Sequence, residues 1–388
     1  MRIFHLSDLH IGKQLHYYSL KENQQAALFQ IVNLAKKHRP DVILLCGDIF
    51  DRSVPSGEAY TIFDEFLQSL SKIRPQIPVL VIAGNHDSAQ RLNYAISFLE
   101  KHQIYVSAMA PIEEGEYLKK VVLKDEHGAV NFYLLPFLKP GYVRHLFEEG
   151  VVTDYESAVR EILNREQVDY RERNVLLSHQ FYTNQGEKPE TCDSETSVIT
   201  VGGLDNIDVS VIERFDYAAL GHIHGAQMVK LPHIRYSGTP LKYSVSEEFH
   251  NKAITLVTLG AKQEEVEITS IPLKPIQEVR RERGLLKEII GRGTQENCHD
   301  FISVTLTDEK EPYRPKEQLE EVYDFILELR VDNTRTRNIL ESKEEEHILL
   351  HPMEAFRAFY QEMQHQPMNG EEEGIVASIL DQWGGEEI

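Results

Sequence analysis

No apolar run in these 388 residues approaches the roughly 18 consecutive positions that a membrane-spanning helix needs. Cysteine is scarce. Cys46, Cys192 and Cys298 lie far apart and form no CxxC pair, which argues against a disulfide framework and a cysteine zinc site. That usage fits a reducing cytoplasm. The opening MRIFHLSDLHIG carries polar and charged residues too early for a signal peptide and reads as a strand. Internal repeats and long low-complexity tracts are missing too. An excess of positive charge is also lacking: the formal net charge is −21, which on its face disfavours nucleic acid as a partner. The distribution softens that conclusion. From Glu341 to Ile388, 12 acidic residues stand against Lys343 and Arg357, so nearly half the excess sits in that tail. Bound divalent cations would also change the local sign at an acidic site.

What is present is an ordinary globular composition, 41% hydrophobic and 27% charged, long enough for one large core and one or two smaller units. The chain is organised around Val79–Asp87, VLVIAGNHD. Its five apolar residues read as a strand buried on both faces. It breaks at Gly84 and presents Asn85, His86 and Asp87, where open α/β sheets bind their ligands. Around it, residues 2–7 and Asp41–Cys46 read as strands, and 20–38, 56–72 and 88–101 as helices. Three strand–helix units in sequence predict a largely parallel sheet. Further strands over 130–137, 174–181, 216–225, 234–240 and 251–259, with only one helix among them (153–166), predict a second sheet packed on the first. The polar stretch Thr183–Ser197 reads as a mobile loop. Past Pro272 come a basic segment (274–292), a strand over 301–307 and a helix over 316–329. An acidic linker, Glu341–Glu346, then leads to two short amphipathic helices.

Five strand ends carry metal-capable residues: Asp8 and His10; Asp48 and Asp51; Asn85, His86 and Asp87; His179; His222 and His224. In an extended segment, side chains two apart point to one side, so each i, i+2 pair can aim both groups into one pocket. Seven strong ligands exceed the needs of one octahedral ion. A mixed Asp/Asn/His set suits two cations about 3.5–4 Å apart with one carboxylate bridging, and Asp48 is the candidate bridge. Asp51 either supports a ligand from behind or forms a turn. His5, His38, His102, His145 and His299 read as ordinary structural histidines.

The motifs DLH at 8–10, GDIFD at 47–51, GNHD at 84–87, His179 and GHIH at 221–224 match in order those of the calcineurin-like metallophosphoesterases. The chain resembles more narrowly the SbcD-type nuclease subunits, bacterial counterparts of the eukaryotic double-strand-break repair nuclease. The resemblance implies an α/β fold, a two-sheet sandwich flanked by helices, over 1–270. It also implies a small α+β DNA-capping domain over 271–340 and an ATPase-binding helical segment over 341–388. It implies that Asp8, His10, Asp48 and His224 hold one ion, usually manganese, and that Asp48, Asn85, His179 and His222 hold the other. The archaeal and eukaryotic relatives have histidine where this chain has Asp51, so a phosphate-orienting role there does not transfer. His86 would serve the transition state and Asp87 would orient its ring. No Ser/Cys nucleophile arrangement and no phosphate-cradling glycine loop is evident, so direct attack by water is expected.

The reading is therefore a metal-dependent DNA exonuclease and endonuclease acting on duplex ends, hairpins and single strands with an SbcC-type ATPase. Its rivals are a small-molecule or protein phosphoesterase on the same site and a non-catalytic DNA-repair scaffold. Surplus apolar positions on 56–72 and 88–101, with the family's helix-bundle dimer, imply a homodimer. Met353, Phe356 and Tyr360, then Ile375, Ile379 and Trp383, recur on one helical face and are expected to dock on the ATPase.

Overall fold

The computed structural model describes residues 1–195, 205–310, 312–336, 352–364 and 366–383. The chain divides into two compact units. One comprises Met1–Glu282 with Gly293–Val304 and Leu319–Glu328; the other comprises Arg283–Arg292, Thr305–Gln318 and Leu329–Ile388.

In the first unit, two six-stranded sheets carry the core. Strands Arg2–Leu6, Val42–Cys46, Val79–Ile82 and Ile104–Ser107 run parallel, in register through Ile3↔Val42, Ile43↔Val79 and Val79↔Ile104. Ala253–Thr258 and Glu267–Pro272 extend that sheet antiparallel. In the second sheet Gly128–Leu135, Arg173–Ser178, Tyr217–Leu220 and Leu231–Tyr236 are parallel, with antiparallel edges at Lys119–Asp125 and Gln227–Val229. The unbroken apolar run VILLC shows why its strand is central. Val42, Leu44 and Cys46 face a core shared with Phe132, Leu134, Val175 and Tyr217 of the other sheet. Ile43 and Leu45 face a second core with helices Lys21–His38 and Gly57–Ser71. Each fully buried leucine or valine contributes about 2 kcal/mol on transfer from water. The outer face of the second sheet packs on helix Tyr155–Arg165, which Asp154 and Ser157 start with a reciprocal capping box. The expected sandwich is thus built as helix, sheet, sheet, helix.

Two expected helices are not formed as drawn. Residues 88–101 make only short turns, Ala89–Leu92 and Ile96–Glu100, separated at Ala95 by a left-handed φ of 60°. The helix over 316–329 stops after Pro315–Glu320, and Phe325–Val331 becomes a strand beside Phe301–Leu306. Its apolar run pairs in a sheet, which overrides local propensity.

The basic segment is largely neutralised in place. Arg280 pairs with Glu282 and with Asp300 (2.9 Å), and Arg281 with Glu248 (3.2 Å). Arg283 pairs with Asp332 and Arg292 with Glu288 (3.8 Å). The surplus apolar face of helix Gly57–Ser71 is largely spent at home: Ile62, Phe66, Leu67 and Leu70 are buried, and Tyr60 and Phe63 pack on Phe50. Tyr94 and Phe98, by contrast, are 83% and 63% exposed.

In the second unit, helices Pro352–Gln364 and Gly370–Trp383 are joined by Arg357–Glu373 (2.7 Å) and by a Tyr360 hydroxyl donating to Glu372 (2.8 Å). Phe356 and Ile375 are 40% and 61% exposed, and Met353 is half-buried. The side chains of Ile379 and Trp383, and the acidic linker 341–346, lie outside the described residues.

Candidate metal centre

The site residues follow the ends of parallel strands, and the chain turns sharply after Arg2–Leu6, Val42–Cys46 and Tyr217–Leu220. Asp8, His10, Asp48 and His222 sit at φ 53°, 43°, 49° and 100°, in the left-handed region that non-glycine residues avoid. Such backbone costs on the order of 1–3 kcal/mol per residue and persists only where neighbours over-determine it. Here they do. The Asp8 and His10 amides donate to the carbonyls of Gly47 and Asp48 (2.9 Å each), and the His222 amide donates to both oxygens of Asp8 (3.1 Å). The pairs 8/10 and 222/224 therefore reach one pocket by turning out of their strands, not by strand alternation as the spacing suggested.

Two glycines permit the approach. A Cβ at Gly84 would stand 2.1 Å from Asp48 Oδ1, and one at Gly221 would stand 1.9 Å from the Cys46 carbonyl. That carbonyl accepts from His179 Nδ1 at 2.7 Å, which puts the ring proton on Nδ1 and turns Nε2 to the pocket.

The result is two clusters meeting at Asp48, with Asp8 Oδ1 also 3.9 Å from His179 Nε2. Asp48 Oδ2 lies 3.3 Å from His179 Nε2 and 3.7 Å from His10 Nε2, while Oδ1 accepts from the His86 amide at 2.8 Å. On one side Asp8, His10 and His224 offer ligand atoms within 4.8 Å of one another, and the Nε2 atoms of His10 and His224 face each other at 3.1 Å. On the other, Asn85 Oδ1 is 3.1 Å from His179 Nε2 and 2.9 Å from His222 Nδ1. All seven expected ligands are thus brought together, and all but the half-buried Asn85 are buried. His5, outside the cluster, is bonded to Tyr217 Oη and the Leu220 carbonyl, as a structural histidine would be.

This donor set fits divalent cations. Imidazoles bind metals in the neutral form, and burial holds His10 well below the usual histidine range and His222 at about 3. His10 Nδ1 is buried without a hydrogen-bond partner among the described residues. Two donors each about 2.1 Å from one ion would stand roughly 3 Å apart at right angles, near the His10–His224 spacing. Burial pushes Asp8 up to about 6, against the pull of nearby histidines. Burial would lower His179, but the charges of Asp48 and Asp8 raise it to about 9. In the chain alone, protons gather where a cation would supply the positive charge.

The remaining expected site residues divide. The His86 ring lies edge-on to His10 (centroids 5.0 Å), and its Nδ1 donates to the Asp51 carbonyl at 2.9 Å. Asp87 does not orient that ring, which corrects the expected role. Its carboxylate accepts the amides of Gly84 (2.9 Å), Ile49 (3.1 Å) and Phe50 (2.9 Å), locking the Asp48 and Asn85 turns together. Burial, then the charge of Asp48, pushes it up to about 6. The Asp51 side chain pairs with Lys13 (2.9 Å) and stands 3.7 Å from His10 Nδ1. Sequence reasoning missed Ser194, Glu195 and Glu247. Ser194 Oγ is 2.7 Å from His224 Nδ1, and Glu195 accepts the His224 amide. They come from the expected mobile loop, whose last residues, 196 and 197, lie outside the described residues, and from a turn with no motif of its own.

A family model described as calcineurin-like phosphoesterase matches residues 1–226. A second, described as type 5 capsule protein repressor C-terminal domain, matches residues 272–364. The SbcD subunit of nuclease SbcCD from Staphylococcus epidermidis is 32% identical over 332 residues, 85% of either chain. Among solved structures, TT1561 of Thermus thermophilus is 13% identical with a TM-score of 0.40, covering 69% of this chain and 98% of that one. GAP50, the anchor in the inner membrane complex of Plasmodium, is 12% identical with a TM-score of 0.38, covering 86% and 98%. Neither likeness bears on function.

Proposed function

This chain belongs to the calcineurin-like phosphoesterase family and, within it, to the group of SbcD nuclease subunits, and on that premise we propose that it hydrolyses DNA phosphodiesters with two bound cations. The observation that carries the proposal is the position of Asp48, one carboxylate oxygen between two histidine clusters. Asp8, His10, Asp48 and His224 would hold one cation, and Asp48, Asn85, His179 and His222 the other, with manganese the expected metal. When bound, such a pair supplies hydroxide near neutral pH and offsets charge on phosphate oxygens. The chain's own residues do the rest. The Asp51 carbonyl fixes the His86 Nδ1 proton, so Nε2 would first accept a proton, as from the attacking water, and then pass it to the leaving oxygen. Asp87 keeps the turns bearing Asp48 and Asn85 in register. Cys46 lies in the inter-sheet core, where burial pushes its thiol well above the ordinary range, which supports attack by water.

The named relative is one subunit of a nuclease. We extend that to an SbcC-type ATPase bound by the C-terminal helices, to exonuclease and endonuclease action on duplex ends, hairpins and single strands, and to a cytoplasmic homodimer. Support for the dimer now rests on exposed Tyr94 and Phe98 rather than on helix Gly57–Ser71. Support for DNA does not rest on the basic segment, because its arginines are paired. We propose 1–270, 271–340 and 341–388 as the division of function, whereas the two compact units of the structure are bounded differently. No described helix is long and apolar enough to cross a membrane. One assay tests the reading: manganese-dependent cleavage of labelled duplex and hairpin DNA beside a generic phosphodiester. Cleavage of DNA well above the small ester is expected. Hydrolysis of the small ester alone would make the chain a small-substrate phosphoesterase, and no hydrolysis of either would leave a scaffold.

A further inference from the structure

One ligand of the proposed centre is held by parts of the chain that no motif marks. His224 Nδ1 stands 2.7 Å from Ser194 Oγ, and the same hydroxyl lies 2.9 Å from Glu247 Oε1. A serine hydroxyl has one proton to give and two lone pairs to receive, whereas a carboxylate only accepts. The Ser194 proton therefore goes to Glu247. Towards His224, Ser194 must accept, so the ring proton lies on Nδ1 and Nε2 is left with its lone pair facing His10 and Asp8.

Glu247 cannot drift from this arrangement. It is wholly buried, and it receives Lys252 Nζ (2.5 Å), the Tyr243 amide (3.0 Å) and Ser244 Oγ (3.1 Å). Lys252 in turn donates to Thr239 Oγ1 (2.7 Å) and to the carbonyl of His224 itself (3.0 Å). From the other side, Glu195 accepts the His224 amide and the Cys192 amide, the latter at 2.9 Å. The Asp193 amide is fastened to Ser246 Oγ at 2.9 Å. Side chain and backbone of His224 are thus both gripped by Cys192–Glu195, with Glu247 behind Ser194 and Lys252 on the His224 carbonyl.

We propose that Ser194 and Glu247 are positioning residues of the metal centre, acting through His224 to aim its Nε2 at the cation shared with Asp8 and His10. The proposal rests on the metal reading above and adds a working role for Cys192–Glu195. Groups that hold the far nitrogen of a ligating histidine typically change metal affinity roughly 10- to 100-fold.

The test is Ser194→Ala in the full chain, with manganese binding followed by titration calorimetry and metal-free melting measured alongside. The unaltered chain should show two binding events. Ser194→Ala should weaken one of them by roughly 10-fold or more and leave the other within about twofold. Ser194→Thr, which keeps the hydroxyl, should restore most of the loss. On a His224→Ala background, Ser194→Ala should cost no further affinity. Unchanged affinity in Ser194→Ala, or an equal extra loss without His224, would overturn the relay while leaving the metal centre standing. A purely structural role would lower the metal-free melting temperature with affinity intact, and that too would overturn it. No manganese binding by the unaltered chain would overturn the metal reading and the relay together.

Discussion

Around Asp48 most polar atoms are committed inside the chain, while the helices Pro352–Gln364 and Gly370–Trp383 leave Phe356 and Ile375 in solvent. The first region spends unfavourable backbone and buried charge to bring its seven ligand candidates together from one chain. In the second, among the described residues, an ion pair and a hydrogen bond join two helices of 13 and 14 residues, and Phe356 and Ile375 stay exposed. The contrast matches the proposed division of labour: chemistry at the buried cluster, and recognition on exposed apolar side chains such as Phe356 and Ile375.

The largest expected effect comes from breaking the first region at its centre. Asp48→Ala removes the carboxylate common to both clusters, so both cations and hydrolysis should be lost, the latter by a factor on the order of 10⁴. Asp8 stands 3.9 Å from His179 Nε2 but is proposed to hold only the cation shared with His10 and His224, so Asp8→Ala should retain more metal by elemental analysis. Equal metal content in the two variants would remove Asp48 from its special position. The opposite cut, truncation after Glu346, should leave manganese-dependent hydrolysis and the melting temperature of the first unit nearly unchanged. It should abolish co-purification with an SbcC-type ATPase. A truncated chain that still binds at full affinity would end the contrast.

The smallest effect separates structural charge from catalytic charge. Asp125 receives the Arg173 guanidinium through two oxygens (2.5 and 3.0 Å), and Arg173 also donates to the Gly128 and Gly260 carbonyls. That pairing, against the opposing effect of burial, holds the Asp125 carboxyl well below its usual range. A carboxylate depressed in the folded state stabilises above its unfolded value, about 3.9, and loses that contribution as the pH falls towards the folded value. Asp125→Asn should cost about 2 kcal/mol at neutral pH, flatten the acid dependence of unfolding below about pH 4, and leave hydrolysis per folded chain untouched. An unaltered acid profile would contradict it.

Much of this contrast was legible in the sequence. The buried strands announced themselves as unbroken apolar runs, and the seven ligand candidates as polar residues just past strand ends. The reason offered for 8/10 and 222/224 was nevertheless wrong, because left-handed turns at Asp8, His10 and His222 lie outside any two-residue period. Ser194 and Glu247 were illegible for another reason. Ser194 is 30 residues from its partner His224, Glu247 reaches that histidine through the Ser194 hydroxyl and at 3.8 Å from Nδ1, and neither segment has periodicity or a motif. The Phe325–Val331 strand read as helix because its apolar run is too short to tell the two apart without its sheet neighbours.

The most direct test of the central claim is to locate the metal. Crystals of the full chain soaked in manganese should show two anomalous peaks. One should lie among Asp8, His10 and His224, the other among Asn85, His179 and His222, with Asp48 touching both. A single peak, or two peaks that share no contact with Asp48, would contradict the account.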